Sequence, residues 1–243
     1  MQAVKSILST RPVDEALVSK AREHKILLEA VSFIETEAVQ SIEIQQEVAL
    51  AATELATIVF TSMNAVNAVI GMLNGEMPDW RIYCMGQRTQ ELVSDYFGQH
   101  SIAGIADNAS QLADLIIEEE ETEKVIFFCG NHRRDELPEK LEANGIGVIE
   151  ITVYETLIKP HRLSGVYDAV LFFSPSAVES FFISNKLPAS TVVFAIGNTT
   201  AETVKRFCSN HIITAKSPGK SQLVEQAISY FNQLRSDLSN HHA

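Results

Sequence analysis

Apolar residues in this chain gather into short continuous runs, each cut off by small polar residues, and an apolar spacing of three and four usually follows. Such a run reads as a buried strand and such a spacing as an amphipathic helix. On this basis Val4–Ser9 is a first strand, Thr10–Asp14 a loop and Leu17–Ala21 a helix. Ile26–Phe33 is a second apolar run, ending in Ile34-Glu-Thr36, and Glu37–Glu54 reads as helical. Val125–Cys129 and Gly145–Tyr154 repeat the strand signal, Thr156–Gly165 is a polar connector, and Ser221–Leu234 is a closing helix before a frayed tail, Leu238–Ala243. Alternating short strands and helices imply parallel sheets covered by helices on both faces.

Two further runs, Ala169–Phe173 and Thr191–Ile196, stop at Ser174-Pro-Ser176 and Gly197-Asn-Thr-Thr200. Small hydroxylated residues there are helix caps, so each stretch is a strand-to-helix loop with hydroxyls and free backbone N–H groups. In open parallel sheets such loops lie where ligands bind, and helix starts favour anions. The pair occurs twice. Ile58–Val66 matches Val170–Val178, placing Ser62 opposite Ser174, 112 positions apart (174 − 62). Arg81–Val93 matches Val192–Val204, placing Gly86 opposite Gly197, 111 apart (197 − 86), and Ser110-Gln-Leu recurs as Ser221-Gln-Leu, again 111 apart (221 − 110). Three matches in one order at nearly one offset mark a duplicated α/β unit.

The remaining segments are also paired, Val31–Thr36 with Ile151–Thr156. The chain therefore reads a, b, a, b: residues 1–36, 55–116, 123–156 and 166–229. Either tandem pairing, or outer a with outer b around an inserted middle domain, satisfies that order.

Charge and cysteine content narrow the function. A formal net charge of −12 opposes nucleic acid as main partner, since phosphate binding needs a basic face. The acidic run Glu118–Glu121 reads as the solvated end of a helix holding Leu112, Leu115 and Ile116. No apolar run reaches the roughly 18–20 residues that span a bilayer. Met1–Ser9 leads straight into a strand without a long apolar stretch or cleavage site, which gives the expectation of a cytoplasmic protein with no membrane partner. Cys84, Cys129 and Cys208 are widely spaced and lie in or beside apolar runs, as buried reduced thiols do, and no metal-ligand spacing is present.

The ordered set Phe60–Val66, Cys129–Arg134, Ile151–Thr156, Phe172–Ser176 and Ile196–Ala201 resembles the uroporphyrinogen-III synthase family. The resemblance covers most of residues 55–230 and, more weakly, Ser9–Pro12. It implies the outer-a with outer-b arrangement: two parallel-sheet α/β domains (a duplicated unit) joined by a two-stranded hinge. Residues 1–34 and 160–243 would form one domain, 38–153 the inserted one, and 34–38 with 153–160 the hinge strands. It also implies a cofactor-free, monomeric enzyme acting on the small molecule hydroxymethylbilane, closing the linear tetrapyrrole while inverting its last ring. Tyr154 corresponds to a family tyrosine and is the candidate proton donor; Ser174 and Thr200 fall in family loops.

That chemistry needs geometry more than reactive side chains, because the pyrrole is already a strong nucleophile and departing hydroxide needs one proton. The substrate is polyanionic while the chain is acidic, so binding falls to local groups: the loop residues Ser62, Thr89, Ser174, Thr199 and Thr200, with Arg11 and Arg88 after strand ends as carboxylate partners. His132-Arg133-Arg134 is a further cationic candidate, against a solvated helix start. Thr191-Val-Val193 stands where some relatives carry a basic residue. Three rivals remain: a hinged binding protein for an anionic small molecule, a synthase-like domain kept for regulation, and a nucleotide-using transferase, for which neither G-x-G-x-x-G nor a P-loop is present.

Overall fold

A computed structural model of the chain describes residues 4–119, 122–217 and 219–240. Two parts of the sequence reading, the end of the acidic run at Glu120 and Glu121 and the terminal residues 1–3 and 241–243, lie outside the described residues.

The chain divides into two compact units, one made of residues up to Glu35 and from Leu157 onward, the other of Thr36–Thr156. The first unit holds β1 (Lys5–Ser9), α1 (Glu15–Glu23) and β2 (Ile26–Ala30), then β9 (Ala169–Phe172), α7 (Pro175–Ser184), β10 (Val192–Ala195), α8 (Asn198–Lys205), β11 (Ile212–Thr214) and α9 (Lys220–Asn240). Its sheet has the order β11-β10-β9-β1-β2, with parallel pairing throughout. Strand periodicity divides the apolar side chains between the two faces. Ala169 and Leu171 pack with α1 and α9, whereas Val170 and Phe172 pack with α7 and α8.

The second unit holds α2 (Ile42–Ala52), β4 (Ala56–Phe60), α3 (Met63–Leu73), β5 (Trp80–Met85), α4 (Gln87–Phe97), β6 (Ile102–Ala106), α5 (Ala109–Ile117), β7 (Lys124–Gly130) and α6 (Glu136–Ala143). Two strands, β3 (Ile34–Ala38) and β8 (Gly147–Ile158), carry the chain across the boundary. The sheet order is β3-β8-β7-β4-β5-β6. Phe60, Trp80, Phe97 and Phe128 cluster on one face, the Phe60 and Phe128 rings stacked with centroids 5.6 Å apart. Burying one such ring contributes about 1.5–3 kcal/mol. The opposite face packs Val59, Tyr83 and Phe127 under α5 and α6.

Read in reverse, the second sheet is β6-β5-β4-β7-β8-β3, and its first five strands match β11-β10-β9-β1-β2 one for one. The repeat is thus structural, with the a segment before b in one unit and after it in the other. Strands β1 and β2 share their sheet with β9–β11, and β4–β6 share theirs with β7 and β8.

Four details depart from the sequence reading. Ile26–Thr36 is not one run: Phe33 is wholly buried against Phe181, with the His161 ring on its edge, and the Ser32 hydroxyl donates to the Ile34 carbonyl. That anchor pulls the chain out of the first sheet, so β2 and β3 belong to different sheets. Helix α2 starts at Ile42 rather than Glu37, capped by the Ser41 hydroxyl accepting from the Ile44 N–H. The edge strands β6 and β11, five and three residues long and largely only partly buried, are not marked in the sequence reading. Finally, α9 continues to Asn240 through the expected tail.

The first unit is fastened across a long stretch of sequence by Asp168. Its carboxylate accepts from the Lys5 ammonium (2.7 Å), the Ser6 N–H (2.9 Å) and the Ser6 hydroxyl (3.2 Å). Burial works to raise the carboxyl pKa, but the bonds from Lys5 and Ser6 outweigh it and hold the group below its ordinary value. A depressed folded pKa contributes stability above the unfolded value and loses it as pH falls through the folded one. Asp168→Asn is therefore expected to lower unfolding free energy by about 1–2 kcal/mol at pH 7. Denaturant titrations should show the gap to wild type closing as pH falls from about 4 toward 2.

Candidate active site

In each unit the strand-to-helix loops emerge at the carboxyl edge of the sheet, and in each the strand order reverses at one point. Such a reversal leaves a crevice where ligands of open α/β sheets bind. In the first unit it falls between β1, which leads to β2, and β9, which leads the other way to β10 and β11. Thr10 directs both its N–H (3.0 Å) and its hydroxyl (2.8 Å) to the Leu171 carbonyl, pinning the end of β1 to β9. The Ser9 hydroxyl donates to the Arg11 carbonyl (2.6 Å), closing the turn, and leaves the Arg11 side chain exposed. Beyond β9, Ser174 caps α7: its hydroxyl accepts from the Ala177 N–H at 3.1 Å, with Pro175 in the first turn. Arg11 and Ser174 thus follow neighbouring strands at the reversal.

One strand further on, α8 begins at Gly197, which supplies no side-chain cap. The first-turn N–H groups of Asn198, Thr199 and Thr200 keep the donor capacity that an uncapped helix start leaves open. Thr199 is exposed, whereas Thr200 is 3% exposed.

The second unit repeats this arrangement, with its reversal between β4 and β7. Ser62 caps α3, its hydroxyl accepting from the Asn64 N–H at 3.1 Å. Gly86 starts α4 without a side-chain cap at φ +82°, a left-handed conformation that favours glycine. Arg88 is exposed, and Thr89, the counterpart of Thr200, is 5% exposed. Burial gives Thr89 and Thr200 little surface to offer a ligand directly. Their helix starts offer backbone donors instead.

Tyr154 comes from β8, which lies beside β7. The register of that pair shifts at its end: Cys129 is opposite Thr152, yet Gly130 is opposite Tyr154. Val153 is the extra residue, and such bulges re-aim side chains. Val153 and Tyr154 consequently both pack against the Phe60–Phe128 cluster. Tyr154 is half-buried, and its hydroxyl makes no hydrogen bond to a described residue of its unit. After β7, the Asn131 N–H donates to the Tyr154 carbonyl (3.2 Å), and the Asn131 Oδ1 accepts from the Thr156 N–H (2.9 Å). The second unit therefore brings Ser62 and Asn131 to the ends of adjacent strands β4 and β7, with Tyr154 inside β8 opposite the last residue of β7 and Arg88 one strand beyond Ser62 after β5.

The His132–Arg134 cluster divides. Arg133 is engaged by Glu150 and Asp135, which fits the solvated-helix reading, while His132 and Arg134 are exposed. Cysteine chemistry has no support: burial pushes the Cys84 thiol up to about 11 and also raises Cys129, so both stay protonated near neutrality. Gly130 and Asn131 are not among the site residues expected from the sequence, because neither carries a group that chemistry obviously needs. Their signals are membership of the Cys129–Arg134 stretch of the family resemblance and position at the close of an apolar strand.

The family model described as uroporphyrinogen-III synthase HemD matches residues 15–225. A uroporphyrinogen-III synthase of Chlorobaculum parvum is 29% identical over 174 residues, 63% of this chain and 71% of that protein. One of Saccharomyces cerevisiae is 31% identical over 135 residues, 45% of this chain and 48% of its own length. The crystal structure of the Helicobacter pylori enzyme superposes with a TM-score of 0.64 at 19% identity, covering 93% of this chain and 99% of that one. A mutant enzyme of Thermus thermophilus gives 0.65 at 15% identity, covering 94% and 99%. At such identities the structures speak for the fold alone. With a family model spanning both units and the same α/β architecture in those structures, the chain belongs to the uroporphyrinogen-III synthase family.

Proposed function

We propose that this chain converts hydroxymethylbilane into uroporphyrinogen III in tetrapyrrole biosynthesis. The hydroxyl on ring A leaves as water once protonated, giving an azafulvene. Ring D attacks that carbon through its substituted position, forming a spiro intermediate, which fragments and recloses with ring D inverted. The net change is loss of one water. The observation that carries the reading, beside family membership, is Tyr154: a half-buried phenol with no hydrogen-bond partner in its unit, held at a sheet's carboxyl edge next to the order reversal.

Tyr154 donates the proton to the departing hydroxyl, as a phenol can, and the phenolate regains one from the proton that the substrate loses as the ring closes. The uncapped starts of α4 and α8 take carboxylates through backbone N–H groups, with Thr199 adding a hydroxyl and Arg11 and Arg88 charge. Thr89 and Thr200 support those helix starts. Ser62 and Ser174 cap their helices as acceptors, so each hydroxyl keeps its O–H to donate to a carboxylate. Backbone donors reconcile a polyanionic substrate with a formal net charge of −12, because they bind anions without adding cations. Segments 34–38 and 153–160 act as hinge strands. No helix of the described residues is long and apolar enough to cross a membrane. The reading carries with it a cytoplasmic, monomeric enzyme without a cofactor.

The deciding assay adds purified protein to hydroxymethylbilane as it is generated and separates the oxidised products by isomer. Excess isomer III is expected; isomer I alone from folded protein would refute the reading. Tyr154→Phe should keep its fold and lose about tenfold or more in kcat, at or below the roughly 10²–10⁴-fold of an obligatory acid. Full-speed turnover would remove the proton-donor role. Capping and binding separate in a second pair. Ser174→Ala should cost about 1 kcal/mol and lower Tm by about 2–4 °C, with a modest loss of substrate use. Thr199→Ala and Arg88→Ala should leave Tm unchanged and raise KM, each modestly because the carboxylate contacts are shared.

A further inference from the structure

Two tyrosines of the second unit lie on glycines. A Cβ built on Gly104 would stand 2.7 Å from Cδ1 and 2.8 Å from Cε1 of Tyr83. That ring is 1% exposed and belongs to the core under α5. The second pair differs in which end of the ring is concerned. A Cβ on Gly130 would stand 2.4 Å from Cζ, 2.7 Å from Cε2 and 2.8 Å from the hydroxyl oxygen of Tyr154. These are the three nearest atoms to it, and they are the phenol end of a half-buried side chain.

The backbone around that ring is already fixed. The bulge at Val153 sets Tyr154 opposite Gly130, and Asn131 bonds the carbonyl of Tyr154 and the N–H of Thr156, bracketing the residue between. The remaining freedom of the phenol is rotation about its own side-chain bonds. A bare Cα beneath the ring decides which rotation is open. Gly130 has no positive φ that would demand glycine for the backbone's sake. Its lack of a side chain is used by the ring and not by a turn.

We propose that Gly130 is a positioning residue for the reaction, holding the Tyr154 hydroxyl where it donates its proton by leaving the space under the ring empty. The proposal rests on Tyr154 as proton donor. The atoms nearest a methyl at position 130 are the far end of a side chain that can swing away, so Gly130→Ala is expected to fold and to displace the hydroxyl. The Asn131 bonds persist and the backbone stays in place.

The test combines steady-state kinetics with the NMR signal of 13Cζ-labelled tyrosine, assigned by its disappearance in Tyr154→Phe. Gly130→Ala is expected to lower kcat by a factor within about threefold of that for Tyr154→Phe, with KM changed less than about twofold. The double variant should be no slower than Tyr154→Phe alone, since residues acting through one group are not additive. The Tyr154 Cζ signal should move. Wild-type kcat in Gly130→Ala, or an equal further loss when it is added to Tyr154→Phe, would overturn the proposal. If Tyr154→Phe itself turns over at full speed, the donor role fails. The Cζ signal then still judges the seat: a moved signal keeps the seating and an unmoved one rejects it. Should Gly130→Ala prove unstable, adding it to Tyr154→Ala should lower the Tm of that variant no further, because the atoms the methyl meets are gone; a further loss would also reject the proposal.

Discussion

The pairing of β1 with β9 is the constraint on which the rest of the molecule depends. It joins Ile7–Ser9 to Ala169–Leu171 across most of the chain, and Asp168 and Thr10 fasten its two ends. Closing so long a loop costs little more than closing a short one, since each doubling adds only about 0.6 kcal/mol. The cost falls further once Thr36–Thr156 has folded as its own unit, because its two ends leave through β3 and β8, which are sheet neighbours. Val39 N–H bonds the Val153 carbonyl and Lys159 N–H bonds the Phe33 carbonyl, so the outgoing and returning segments run side by side in opposite directions. With β1 on β9, the a segment of the first unit has only the last b segment as partner.

From that pairing the candidate site follows. In each unit the a–b junction is the place where strand order reverses, so the loops after β1 and β9, and after β4 and β7, become the crevice loops. The two copies kept the same division of labour. A serine caps the helix at the reversal, and one strand away a helix starts on glycine with its donors uncommitted. The copies differ after their a strands. The first unit offers Arg11 after its a strand, whereas the second offers Gly130 and Asn131, with Tyr154 on the neighbouring strand.

Much of this was legible in the residues. Strand and helix periods, the serine caps and the glycine helix starts are local signals, because backbone geometry and first-turn hydrogen bonds act over four residues or fewer. Ser62 and Ser174 sit at the caps that their sequence predicts. Less local features misled. The Ile26–Thr36 run looks continuous, but Phe33 finds its partners in Phe181 and His161, far away in sequence, and the strand breaks there. Thr89 and Thr200 look like loop hydroxyls until packing turns them inward.

The sequence by itself determined the class of the main strands and helices and the starts of α3, α4, α7 and α8, since these rest on short-range periodicity and capping, and the duplication, since matched residues recur at one offset. Tertiary structure alone decided which a segment joined which b segment, which hydroxyls stayed accessible, and how Tyr154 is seated. Those outcomes depend on long-range contacts: β1 with β9, Phe33 with Phe181, and the Tyr154 ring over Gly130. A glycine announces only an absent side chain, and what occupies the space is known once the neighbouring strand has taken its register.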